Sequence, residues 1–169
     1  MRRSHPVVLA AALTALATAI VLLPAAAQAN SNTFKDAAHD TANSNNILRY
    51  RVHNGKRISV TTHHRNLTKK AVDIQFEIDT PAKGANFHVY ASANGRQALL
   101  YRGQNYGIKC AGIKVTRKLG KDTLKLSVPR TCVGRPKGKI RVRARVQWNN
   151  SGSKGDWAPN KGFSPWVRR

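Results

Sequence analysis

From residue 72 to residue 79, apolar and polar side chains alternate without a break. Val72, Ile74, Phe76 and Ile78 stand against Asp73, Gln75, Glu77 and Asp79. Successive side chains of a strand point to opposite faces, so this run demands a sheet with one buried and one wet face. The same period recurs at Leu48, Tyr50 and Val52, and again at Ile58, Val60 and Thr62. It closes at Ile140, Val142, Ala144, Val146 and Trp148, with Arg141, Arg143, Arg145 and Gln147 on the other face. Shorter runs at 87–93, 97–102, 108–115 and 123–128 complete a series of eight expected strands at even spacing. No segment after the first thirty residues has the 3.6-residue period of an amphipathic helix. The pattern predicts an all-β fold, an antiparallel β-sandwich of jelly-roll or immunoglobulin-like type with about eight strands.

Turn residues punctuate the strands. At Asn54-Gly55, a plain two-residue loop sets Tyr50 against Ser59 and mixes apolar with polar on one face. A three-residue loop with Gly55 in the left-handed conformation sets Tyr50 against Ile58, so the sequence predicts a bulged hairpin there. At Asn94-Gly95 a two-residue turn pairs Val89 with Leu100 and Tyr90 with Leu99. Gly120-Lys121-Asp122 marks a third turn, and Pro129 ends the strand that follows it.

The first thirty residues belong to a different regime. Arg2 and Arg3 precede an uncharged, mostly apolar run from Val7 to Leu23, Pro24 breaks it, and Ala27-Gln28-Ala29 supplies a small-x-small cleavage pattern. These features in this order predict a cleaved secretory signal peptide over residues 1–29. The run is shorter than the roughly 20 residues that span a bilayer. Residues 30–45, rich in Asn, Ser, Thr and Asp, read as a flexible lead-in. Residues 46–169 read as one β-sandwich domain with a long C-terminal loop or tail. No membrane span is expected in the mature chain, which is expected to be monomeric.

Charge narrows the partners. The full chain carries 30 Lys and Arg against 7 Asp and Glu, a net +23; without Arg2 and Arg3 it carries 28 against 7, or +21. Such a field attracts polyanions. Outside a cell these are cell-wall polymer, nucleic acid, acidic polysaccharide and lipid headgroups. The cysteines are Cys110 and Cys132. In an oxidising compartment an even count suggests a bridge, with free thiols or an intermolecular bond as the alternatives.

Candidate chemistry is sparse. Arg141, Arg143 and Arg145 on one strand face stand about 7 Å apart and form a row able to track phosphate or carboxylate groups. Arg49, Arg51 and Arg57 extend the basic set. The acidic stripe Asp73, Glu77 and Asp79 reads as charge balance more than as a catalytic or Ca²⁺-binding group; were it spent on Arg49, Arg51 and Arg57, the last strand would keep its arginines free. His39, His53, His63, His64 and His88 are scattered, and His63 and His64 point to opposite faces. No nucleophile elbow, phosphate loop or H-E-x-x-H is present. Trp148, Trp157 and Trp166 with Tyr101 and Tyr106 suit either a stacking platform or a core residue plus a pinned tail. Asn66-Leu67-Thr68 matches a glycosylation triplet.

Val128-Pro129-Arg130-Thr131-Cys132-Val133-Gly134-Arg135-Pro136, followed by Ile140-Arg141-Val142-Arg143-Ala144, then Asp156-Trp157-Ala158-Pro159 and Ser164-Pro165-Trp166-Val167, resembles small secreted β-sandwich proteins of actinomycete-type bacteria. The likeness runs over roughly residues 45–169. It implies a Cys110–Cys132 bridge, a sandwich and a structural part for the tail, and it brings no activity or catalytic residue. The expectation is a secreted, strongly basic, non-enzymatic protein that attaches electrostatically to anionic polymers at or outside the cell envelope. No cofactor or metal enters that expectation. The alternatives are a secreted nuclease-like hydrolase using His63 or His88, and a carbohydrate-binding module.

Overall fold

The computed structural model describes residues 31–37, 46–69, 71–81, 86–103, 107–134, 138–148 and 155–169, with Ala71, Val72 and Trp148 described by their backbone alone. The signal peptide, the rest of the lead-in, His39 and Tyr106 lie outside the described residues.

Ten strands are present among those residues: β1 (Ser31–Lys35), β2 (Ile47–Asn54), β3 (Arg57–His64), β4 (Ala71–Asp79), β5 (Phe87–Ser92), β6 (Ala98–Arg102), β7 (Lys114–Lys118), β8 (Thr123–Pro129), β9 (Arg141–Trp148) and β10 (Asp156–Ala158). They form two antiparallel five-stranded sheets. The first has the order β1-β2-β3-β8-β7 and the second β10-β9-β4-β5-β6. The fold is therefore an all-β sandwich, as the alternation predicts. No helix among the described residues is long and apolar enough to cross a membrane.

The inner faces meet in one core. Tyr50, Ile58, Val60, Leu124 and Leu126 from the first sheet and Ile74, Phe76, Ile78, Leu100 and Val142 from the second are essentially inaccessible to solvent. Burying each such side chain contributes about 1.5–3 kcal/mol before the entropy of ordering is subtracted. Phe76 sits at the centre, on a strand flanked by β5 and β9.

The chain passes between the sheets at β3→β4, β6→β7 and β8→β9. The disulfide Cys110–Cys132 joins two of these passages, with Cα atoms 5.6 Å apart, inside the usual range for a bridge.

Four details differ from the sequence expectation. Part of the lead-in is a strand: Ser31–Lys35 pairs with β2 along its whole length. Backbone hydrogen bonds, the Ser31 Oγ–His53 Nδ1 contact at 2.9 Å and Phe34 against Tyr50 at 5.2 Å hold it, so an edge strand forms with little apolar content. The β2–β3 hairpin keeps the expected parity and a three-residue loop, but the loop lies two residues later, at 55–57, so Asn54 pairs with Ile58, Val52 with Val60 and Tyr50 with Thr62 instead of Ile58. Gly55 is not among the described glycines with positive φ. Tertiary contacts set that loop. The buried Asn54 amide donates from Nδ2 to the carbonyls of Val167 (2.8 Å) and Gly138 (3.0 Å), and its Oδ1 accepts from Arg130 Nη1. At the far end of β2 the register shifts between Ile47 and Arg49, so Ile47 is buried and Leu48 only half so. The seventh strand lies at Lys114–Lys118 instead of 108–115. By contrast Val89 pairs with Leu100 and Tyr90 with Leu99, as the alternation and the Asn-Gly pair predict.

Candidate functional site

Cross-strand register assigns every outward side chain a neighbour, and the two outer faces differ in kind. On the outside of the first sheet, three rows run across all five strands. Ser31, His53, Ser59, Ser127 and Lys114 form one; Thr33, Arg51, Thr61, Lys125 and Thr116 the next; Lys35, Arg49, His63, Thr123 and Lys118 the third. The rows contain no acidic side chain and no Phe, Tyr or Trp. Lys35, Arg49, Arg51, Lys114, Lys118 and Lys125 are all exposed.

The field of these cations reaches the histidines. Partial burial, then Lys125 and Arg51, hold the His53 imidazole below its ordinary value. Partial burial, then Arg49 and Arg51, do the same at His63. Two shallow clefts open on this face, one at each end of β3. The cleft of about 450 Å³ is lined by Lys35, Leu48, Arg49, His63, His64, Lys121 and Asp122. The other, about 380 Å³, is lined by His53, Lys56, Arg57, Ser59, Lys125 and Ser127. At the margin of the first, Asp122 Oδ1 accepts the Leu67 amide N–H at 2.8 Å. Arg57 is fixed in place: its Nη2 donates to the Gly112 carbonyl at 2.5 Å and the Ser127 carbonyl at 3.1 Å.

The outside of the second sheet is charge-balanced. Register sets Asp79 beside Arg141, Glu77 beside Arg143 and Gln75 beside Arg145. Arg141 Nε lies 2.5 Å from Asp79 Oδ2, and His88 Nδ1 lies 3.5 Å from Glu77 Oε1. Of the acidic stripe, Asp79 pairs with Arg141 on β9, while Glu77 lies against His88 and Asp73 bonds Tyr90, both on β5. Aromatics from the tail cover the same arginines. The Arg143 guanidinium lies 3.9 Å from the Trp157 ring centroid and Arg145 5.4 Å; Arg141 lies 4.9 Å from Trp166 and 5.2 Å from Phe163. Arg143 also donates to the carbonyls of Pro159 (3.3 Å) and Asn160 (3.0 Å). On β5, Tyr90 is pushed up to about 12 by burial and by its hydrogen bond to Asp73.

Local sequence explains the strap. Asp156–Ala158 pairs with β9 as β10. A Cβ on Gly155 would sit 2.7 Å from Arg145 Nε, so only glycine lets the backbone come this close. Asp156, buried, accepts the Ile47 amide N–H at 2.5 Å. Ser164 and Val167 bond to β9 and to Ile140. Trp157 and Trp166 therefore pin the tail, with guanidinium groups stacked on their rings.

Of the six arginines singled out in the sequence, Arg49 and Arg51 stand on the acid-free face, Arg57 at its rim, and Arg141, Arg143 and Arg145 on the balanced one. Sequence reasoning passed over Lys35, Lys114, Lys118 and Lys125. No single run marks them, because only strand pairing gathers them. Among the described residues, no group of three His, Cys, Asp or Glu side chains is close enough to hold a metal ion.

No protein-family model matches this chain, and no curated protein matches it.

Proposed function

We propose that this chain is exported and binds anionic polymer at or outside the cell envelope, without catalysis, through the outer face of the β1-β2-β3-β8-β7 sheet. The observation that carries the reading is that the three rows of that face contain cations, hydroxyls and two histidines but no carboxylate. In a chain of net +23 such a face is a focus of positive potential. The signal-peptide pattern and the likeness to exported actinomycete-type proteins support a partner outside the cytoplasm, where cell-wall polymer, nucleic acid and acidic polysaccharide supply the charge. Binding is by counterion release and charge-assisted hydrogen bonds. Arg141, Arg143 and Arg145 contribute mainly to the overall field, since each already has partners within its own sheet.

The test is a titration of labelled polyanions with residues 30–169 across salt. Affinity is expected to fall tenfold or more between about 50 and 200 mM salt. Binding that survives that change intact overturns the electrostatic account. Incubation with labelled RNA and DNA, with and without chelator, is expected to show no turnover. Cleavage that disappears in His63→Ala would replace binding with hydrolysis.

A further inference from the structure

The acid-free face is not uniform across its width. Its middle strand, β3, presents Thr61 and His63, with Ser59 buried in the same row of positions, while β2 on one side presents Arg49 and Arg51 and β8 on the other presents Lys125. In the central row the short hydroxyl of Thr61 lies directly between Arg51 and Lys125. Long cations therefore stand as walls on both sides of a floor of short side chains. Strands lie about 4.8 Å apart, so the walls are about 10 Å apart at the backbone, and the lane from Ser59 to His63 is about 13 Å long. Each end opens into one of the two clefts, with His53, Lys56 and Arg57 at one and Lys35, His63 and Lys121 at the other, where Asp122 also lines the wall with one oxygen engaged by the Leu67 N–H.

Building on the polyanion reading, we infer that this lane is a binding site for one unbranched, base-free phosphate polymer, a linear polyphosphate chain laid along β3. Three features of the lane carry the choice. First, donors converge on its axis from both walls and from the floor. That arrangement suits the tetrahedral oxygens of phosphate, whereas a planar carboxylate is best met in one plane by one arginine. Second, the rows contain no Phe, Tyr or Trp. Single-stranded nucleic acid is ordinarily held by bases stacked on large aromatic rings, and in place of these the face offers only the imidazoles of His53 and His63 and the planes of Arg49 and Arg51. Third, the lane runs out into a cleft at each end, so an unbranched polymer can enter and leave. The half-buried Thr61 hydroxyl donates to the polymer without adding a cation that would crowd it.

The experiment compares linear inorganic polyphosphate, poly(dT) and polygalacturonate at equal charge concentration against residues 30–169, by competition for one labelled polyphosphate. Polyphosphate is expected to bind at least about tenfold tighter per charge than either rival. Thr61→Glu, which puts a carboxylate on the floor, is expected to weaken polyphosphate at least about tenfold. Lys125→Glu, at an exposed wall position, is expected to do the same and stands in if the β3 variant unfolds. Arg96→Glu, an equal charge change in the β5–β6 loop, is expected to leave affinity within about twofold. Equal or tighter binding of poly(dT) or polygalacturonate overturns the lane while leaving polyanion binding standing. So does a Lys125→Glu protein no weaker than Arg96→Glu. Failure of all three polymers to bind overturns both.

Discussion

The two outer faces of this sandwich are built from the same strand periodicity and reach opposite electrostatic ends. On the β4–β9 face every arginine of the stripe has a partner: Asp79 for Arg141, backbone carbonyls and Trp157 for Arg143, Trp157 again for Arg145. On the β2–β3 face Arg49 and Arg51 are exposed, in rows without a carboxylate. The difference teaches where scarce acids go. With 7 acids against 30 Lys and Arg, the chain can neutralise one face only, and it spends Asp79 and Glu77 on the sheet whose edge the tail must cover. The arginines there act as platforms for Trp157 and Trp166, and the other face keeps exposed cations in rows without a carboxylate. An exposed ion pair contributes little to stability, so the ring stacking and the hydrogen bonds to the strap contribute more.

Charge-matched neutralisation breaks this comparison most directly. Arg49→Gln with Arg51→Gln is expected to weaken polyphosphate binding on the order of a hundredfold, from two lost charge-assisted contacts. The same change at Arg141 and Arg143 is expected to alter affinity by less than about threefold and to cost about 1 kcal/mol of stability instead. Competition binding and thermal unfolding of the two double variants decide it; equal losses of affinity would mean that both faces bind. A smaller effect is expected for Trp157→Ala. It removes the ring under Arg143 and should cost about 2 kcal/mol, lowering the unfolding midpoint by about 5 °C with polyanion affinity unchanged. Retention of wild-type protein on neutral glycans at high salt, lost in this variant, would instead make the ring a sugar platform.

The smallest expected effect is on pH. Ser31 Oγ, Arg51 and Lys125 face His53; Arg49, Arg51, Lys35, Lys121 and Asp122 surround His63 and its cleft. Both imidazoles titrate below their ordinary value, so on acidification the unfolded chain takes up protons first. The free protein then loses stability as pH falls through about 6.5 and below. A bound polyanion reverses the sign for affinity, because each new imidazolium adds a contact. The salt slope of polyphosphate binding is expected to steepen as pH falls from about 7.5 to about 5, by at most about 1.4 for two imidazolium contacts. An unchanged slope would put the histidines outside the binding face.

Alternation made much of this fold legible. It placed Ile74, Phe76 and Ile78 and, separately, Val142, Ala144 and Val146 on inward faces, and it set Val89 against Leu100. Period two fixes the face on which a side chain stands and says nothing about which strand lies beside it. The acids of β4 therefore could not be assigned to β9 or to β2 and β3 from the sequence, and the free arginines went with that choice. The β2–β3 turn escaped for a related reason. Asn54-Gly55 carries a local turn signal, but Asn54 is buried beneath Val167, Gly138 and Arg130, far away in sequence. β1 escaped because an edge strand is held by its backbone, which no side-chain pattern advertises.

The bridge between Cys110 and Cys132 has a consequence for life among proteases. The covalent loop it closes contains β7 and β8 whole, together with the turn at Leu119–Lys121 and its exposed Gly120 and Lys121. A single cut anywhere in that loop severs the backbone and releases nothing. β8 stays zipped to β3, and the halves of the molecule remain tethered through sulfur. Nicked protein keeps its mass until a reductant arrives, so a clipped band that is visible only on reducing gels is the mark this architecture leaves.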